Sequence, residues 1–435
     1  MKIRALILTF LSAALAFGQL QQETPVQSAS GAFNPVSLAS EFFERGNFVN
    51  YYAFANAVYD TFAPTLNNSG QTVNNGGFGF DLGGGATVAH TWKRSSLSFS
   101  YIGGYRHYSS AFFGNGTNQS LNLAFSRRMS RRWNLSTGVT AGTLLYGTGY
   151  FSAQAATNNN VQINPFSPNT RYASGYISVA YQQTRRLSYV FTGGAYLQRY
   201  DYPGAIGATG GNGDVAVVYR ITARTTISGD YNHSYFVYQA GAGNTSLDGY
   251  NFSISHNFAD RWSASAFGGI THTDVNGFFF LPLGPVTGTT PVPVIRVPYN
   301  TKATSPSFGG SISRQMRRSQ ISASGGQNVI SGNGFYLASK SRYLNGFYSR
   351  SYQRMNVGFG AYYSRLSTLT NTVGYSYDTS GFGGNVGYFL IRHVSANARY
   401  DFLHYGTIGS ITGVSDNRFA IGLSFSSKNI PLTLY

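Results

Sequence analysis

The sequence predicts an all-β fold: a single transmembrane antiparallel up-and-down barrel of about 18 strands, with 16 as the alternative count. Three observations predict it. Runs long enough to cross a bilayer alternate apolar with small or polar residues. Eight short basic turns recur along the chain at a nearly constant interval. The composition (Gly 53, Tyr 33, Phe 33, 10% charged, Cys 0) is rare among soluble folds and excludes disulfide and thiol chemistry.

The chain opens on a stretch with the order of a secretory signal peptide: Lys2 and Arg4, the apolar run 5–16, and Ala16-Phe17-Gly18 as a small-x-small cleavage site. Residues 1–18 are therefore expected to be removed, and the mature chain to begin at Gln19. A retained membrane helix is the alternative, but the run is shorter than the roughly 20 residues a spanning helix needs. No later stretch approaches that length, so a membrane role falls to strands. Residues 19–46 are expected to form a short periplasmic segment, 47–427 the barrel and 428–435 a C-terminal tail.

The repeat organises everything between. The turns are Lys93-Arg94, Arg131-Arg132, Arg185-Arg186, Ala223-Arg224, Asp260-Arg261, Arg317-Arg318, Gln353-Arg354 and Arg392-His393. Between the last Arg of each, the spacings are 38, 54, 38, 37, 57, 36 and 38 residues. Alternating runs follow each turn (Leu97, Phe99, Tyr101) and precede it (Val215, Val217, Tyr219). A period of two places one apolar and one polar face on every strand, so each basic turn is the tip of a hairpin. Eight hairpins hold 16 strands, and a first strand near 48–59 and a last near 418–425 raise the count to 18. Both termini then fall on the tight-turn side, which in outer-membrane barrels is periplasmic. The two long spacings place extra residues in two external loops, roughly 146–171 and 274–305, either of which is long enough to fold inward and narrow a pore.

All three Trp residues, Trp92, Trp133 and Trp262, fall at tight turns and are read as an interfacial girdle. The opposite face carries Ser and Asn: Ser98, Ser100, Asn134, Ser136, Asn251, Ser253, Ser322, Ser324, Asn356, Ser395 and Asn397. The charges expected to share that face are Arg106, Arg220, Arg399 and Arg418 against Asp81, Asp230 and Asp401. They are read as pore-lining candidates with a weak anion preference. Arg399 and Asp401, two apart on one face, are equally suited to an internal salt bridge. Arginines on the tight-turn rim have two readings of equal weight, attraction to anionic headgroups or plain solvation.

No catalytic, cofactor or metal site is expected. The seven His form no His-x-x-x-His pair, and the Gly-Gly pairs are followed by no Lys-Ser/Thr and lie mid-strand, where glycine marks bends or close approach. The net charge of +17, about +15 without the leader, is spread through the turns instead of clustering on one domain, which excludes a nucleic-acid partner.

The leader, the hairpins and the last strand Arg418-Phe419-Ala420-Ile421-Gly422-Leu423-Ser424-Phe425 together resemble the porin-like bacterial outer-membrane barrels of the putative β-barrel porin type. That resemblance implies the Gram-negative outer membrane, contact with its lipid, and insertion by the barrel-assembly machinery. The assembly signal is then Phe419, Ile421, Leu423 and Phe425, with Tyr435 as the alternative terminus. The function expected from an 18-strand barrel with a polar, largely neutral inner face is passive diffusion of small hydrophilic solutes; homo-oligomers are compatible with it. The alternative is a non-conducting adhesin or envelope scaffold that works through the long loops. A plugged transporter has 22 strands and a plug domain, for which this chain has no room.

Overall fold

The structure is a computed structural model. It describes residues 47–61, 65–66, 72–73, 76–109, 115–145, 169–201, 206–259, 261–282, 294–330, 337–369, 376–406, 414–427 and 430–431. The leader and residues 19–46 lie outside these.

Eighteen strands make one antiparallel sheet that closes on itself. They are β1 (Phe48–Asp60), β2 (Gly77–Thr91), β3 (Ser95–Tyr108), β4 (Gly116–Arg128), β5 (Trp133–Leu145), β6 (Asn169–Gln182), β7 (Leu187–Tyr200), β8 (Ala208–Arg220) and β9 (Thr225–Tyr238). There follow β10 (Gly243–Ala259), β11 (Trp262–Pro282), β12 (Val294–Gln315), β13 (Ser319–Ile330), β14 (Ser339–Ser351), β15 (Met355–Thr368), β16 (Ser376–Ile391), β17 (Val394–Tyr405) and β18 (Val414–Ser426). Each strand pairs with its chain neighbours, and β1 joins β18 from Tyr52–Ser426 to Asp60–Arg418. Closure leaves no bare edge, the condition for crossing hydrocarbon with strands. Beyond the barrel, Ile430 and Pro431 pair with Val49 and Phe48, so the tail also docks on β1.

Alternation sets the two faces. Leu82, Phe252, Leu344 and Ile421 are exposed on one parity, while Asn56, Ser100, Ser324 and Asn397 are buried on the other. The first is the apolar face that a bilayer covers, and the second faces the barrel interior.

All eight basic turns join strands as expected. Three of them share a device that composition alone did not reveal. The Ser130 hydroxyl accepts from the amides of Arg132 and Trp133 at 3.1 and 3.2 Å. Thr184 Oγ1 does the same for Arg186 and Leu187, and Thr222 Oγ1 for Arg224 and Thr225. A hydroxyl two residues before the last Arg thus holds the turn, and the basic side chain is left facing out.

The connections at the other end differ from expectation in three places. The segment 274–305 is mostly strand: β11 and β12 stay paired from Trp262–Arg314 out to Pro282–Val294. Their outer partners stop earlier, β10 at Gly243–Gly277 and β13 at Phe308–Gln327. The hairpin therefore runs past its neighbours, and the part of the expected loop that remains, 283–293, lies outside the described residues. Pro298 and Pro306 are tolerated because β12 lies beyond its ladder with β13 there, and an edge strand needs no amide on its open side. Likewise 169–171 of the other expected loop belong to β6, and 146–168 are not described.

The β9–β10 connection is a tight one-turn bend, Gln239–Gly241, where a longer polar loop was expected. Ala240 and Gly241 adopt φ of 56° and 67°, which reverses the chain within a few residues.

Candidate pore interior

One side of the interior wall holds the charges. Asp60, Arg418 and Asp401 lie side by side on β1, β18 and β17. Arg418 Nε donates to Asp60, and its Nη2 lies 3.8 Å from Asp416. Arg399 sits 2.5 Å from Asp401. A second pair, Arg106 and Asp81 at 2.7 Å, faces across β3 and β2, and the Tyr108 hydroxyl links this group to Asp60 by donating to its carboxylate. Asp60, Asp401, Asp416 and Arg418 are each at most 3% exposed. Charges so far from water persist only when paired, so this wall is held as a network.

The structure brings together five of the seven charged candidates, Asp81, Arg106, Arg399, Asp401 and Arg418. Arg220 and Asp230 stand apart: Arg220 ends β8 beside a basic turn, and Asp230 on β9 accepts from Asn251 at 2.9 Å. Asp60 and Asp416 were missed. The spacing that suggested Arg399 with Asp401 recurs in Asp416-x-Arg418, and would have found one of them.

The other side of the interior is apolar near the long-loop end. Tyr196, Phe236, Tyr238, Leu247 and Val275, from β7, β9, β10 and β11, form a buried cluster with Leu337, Ala338 and Leu369. Tyr196 and Phe236 meet edge to face with centroids 5.3 Å apart. Leu337 belongs to the connection between β13 and β14, strands that are not neighbours of β9, yet the Tyr238 hydroxyl donates to its carbonyl. A Cβ on Gly277 would lie 2.6 Å from Leu337 Cδ1, so the bare backbone of β11 is the seat of that side chain. Leu369 and Ile206, from two other connections, pack into the same cluster.

The girdle candidates all sit on the tight-turn side. Trp92 meets His90 at 4.1 Å, Trp133 meets Tyr181 at 4.6 Å, and the Arg314 guanidinium lies 5.1 Å over Trp262. At the opposite ends, His233, His272 and His404 bond to Asp248, Thr304 and Ser415 at 2.8, 2.8 and 2.9 Å. Phe419, Ile421, Leu423 and Phe425 form an exposed apolar row on β18, and Tyr435 lies outside the described residues. The described residues contain no group of three His, Cys, Asp or Glu placed to hold a metal.

No protein-family model matches the sequence, and neither does any curated protein. Among solved structures the chain is similar to a BenF-like porin from Pseudomonas fluorescens Pf-5, at 13% identity over 89% of this chain and 100% of that one, with a TM-score of 0.44. It is also similar to OccK2 (OpdF) of Pseudomonas aeruginosa, at 9% identity over 87% and 98%, TM-score 0.43. OccAB3 of Acinetobacter baumannii shares 8% identity over 87% and 99%, TM-score 0.39. The strand count, the closure and the two faces are what place this chain: a closed barrel of eighteen antiparallel strands, apolar outside and polar within, has the porin-like architecture of bacterial outer membranes.

Proposed function

We propose that the protein is an outer-membrane channel through which small hydrophilic solutes diffuse passively. The observation that carries this reading is the polar inner face of a closed barrel of eighteen strands, a circumference that leaves room for water. Ser, Asn and Thr line it, and the charges across β1–β3 and β17–β18 are neutralised in ion pairs, which suits uncharged or weakly charged solutes. The apolar cluster under Leu337 narrows one side of the mouth, which favours a small bore. Single-channel recording in planar bilayers tests the proposal: discrete, voltage-tolerant current steps are expected, and folded protein that passes no current overturns it.

The weak anion preference expected from Arg106, Arg220, Arg399 and Arg418 finds less support. The polar face carries Asp60, Asp214 and Asp416 in addition to Asp81, Asp230 and Asp401. A reversal potential near zero in a salt gradient is expected, and a clearly anion-selective value would restore the earlier reading. The scaffold alternative is favoured by one feature, the β11–β12 hairpin that outruns both neighbouring ladders. Liposome swelling in sugars separates the two, since a scaffold admits none.

A further inference from the structure

The tight-turn rim carries a ring of arginines that the channel reading does not use. Their placement is regular at main-chain level. The carbonyls of Arg94, Arg132, Arg186, Arg224, Arg261, Arg318 and Arg354 each accept a hydrogen bond, at 2.7–2.9 Å, from the end of the first strand of the next hairpin. In the eighth turn the His393 carbonyl takes that place, bonded from Ser426 at 2.9 Å. Because one backbone bond fixes each of these residues, they stand at equivalent positions around the rim.

Their side chains are exposed, and among the described residues no ion pair involves them. The carboxylates in those ion pairs lie toward the long-loop ends or on the inner wall instead. Of the acidic residues in the sequence, Asp260 is the one that stands in a tight turn. Among the described residues the rim is therefore strongly cationic, and no carboxylate pairs with these arginines. Its depth is also marked. Arg314 and Arg350, strand-end arginines just inside the ring, lie over Trp262 and 4.8 Å from the Tyr352 ring, so aromatic rings and guanidinium groups share this end of the barrel. Tryptophan and tyrosine settle at the headgroup boundary of a bilayer, which puts the arginines among lipid phosphates.

We propose that this ring binds anionic phospholipid headgroups and enriches them around the barrel in the periplasmic leaflet. Arginine forks match phosphate oxygens bidentately, and each cation near an anionic surface gains attraction that fades within a Debye length. The choice of lipid over a soluble acidic polymer rests on that depth. It depends on the barrel spanning a bilayer, and not on whether it conducts.

The sequence has three tryptophans, and all of them sit at this rim, so their fluorescence samples the lipid beside the ring. The full chain is reconstituted in phosphatidylcholine bilayers containing, at equal mole fraction, either brominated phosphatidylglycerol or brominated phosphatidylcholine. Stronger quenching by the brominated anionic lipid is expected, by a several-fold ratio of binding constants. That ratio should fall toward one at molar salt, and in the triple variant R132Q/R186Q/R318Q, whose backbone carbonyls are unchanged. Equal quenching by the two lipids in the unaltered protein overturns the proposal, as does a preference that survives both salt and the triple variant. The salt series on the unaltered protein decides the matter even where the variant fails to fold. An acidic polymer as the true partner appears as equal quenching by the lipids, and counts against the proposal.

Discussion

The interior has two unlike walls. Across β1–β3 and β17–β18 it is held by buried ion pairs, whereas across β7–β11 it is closed by aromatic and aliphatic side chains under Leu337. Both are buried, yet the forces differ in kind. Apolar contacts are non-directional and tolerate the loss of one member by local collapse. A buried charge tolerates the loss of its partner poorly, because nothing nearby can neutralise it. The charged wall should therefore be brittle as a stabilising element and the apolar wall compliant, with the apolar wall the one able to move.

The largest expected effect is on the charged wall. Arg418→Ala strands Asp60 and Asp416, and should cost about 4 kcal/mol, within the range for breaking one side of a buried pair. The folded band in a urea series on cold gels reports the loss. Removing Asp60 as well should recover part of it, since one uncompensated carboxylate is gone. If the single variant costs less than about 1 kcal/mol, the wall behaves like solvated surface and the contrast drawn above fails.

Phe236→Ala probes the apolar wall and should cost about 3 kcal/mol, toward the low end for a buried aromatic because water can enter the vacated space from the lumen. Its signature is functional as well: on the channel reading the Phe236 cluster narrows the mouth, so single-channel conductance should rise. Unchanged conductance would mean that the cluster borders no conducting path.

How much of this was legible beforehand follows the same divide. Strand number, all eight tight turns and the polar face were readable because a period of two and a basic turn both leave local marks in sequence. Asp416 was readable in principle, through its spacing from Arg418. The apolar wall was harder. Tyr235-Phe236-Val237-Tyr238 breaks the alternation with four apolar residues in a row, a mark of burial on both faces, yet nothing local says that the cover is Leu337, about a hundred residues away. The β11–β12 hairpin was read as a loop because the extra length of the long turn-to-turn spacing was assigned there, and only the register shows that the two strands stay paired past their neighbours.

The smallest expected effect sharpens the question of movement. Tyr238 ties the β13–β14 connection to β9 through a single hydroxyl, which also meets Thr245 Oγ1 at 3.1 Å. Tyr238→Phe keeps the ring in the cluster and removes the tie, so global stability should drop by about 1 kcal/mol. Leu337 and Ala338 are otherwise held by packing in the buried cluster, so loss of the hydrogen bond leaves apolar contact alone to hold this end of the connection. Single-channel records of the variant should show more frequent transitions between conductance levels at unchanged selectivity, because the charged wall is untouched. A record as quiet as that of the unaltered protein would mean that packing of Leu337 against Gly277 suffices to hold the segment, and that the apolar wall is as fixed as the charged one.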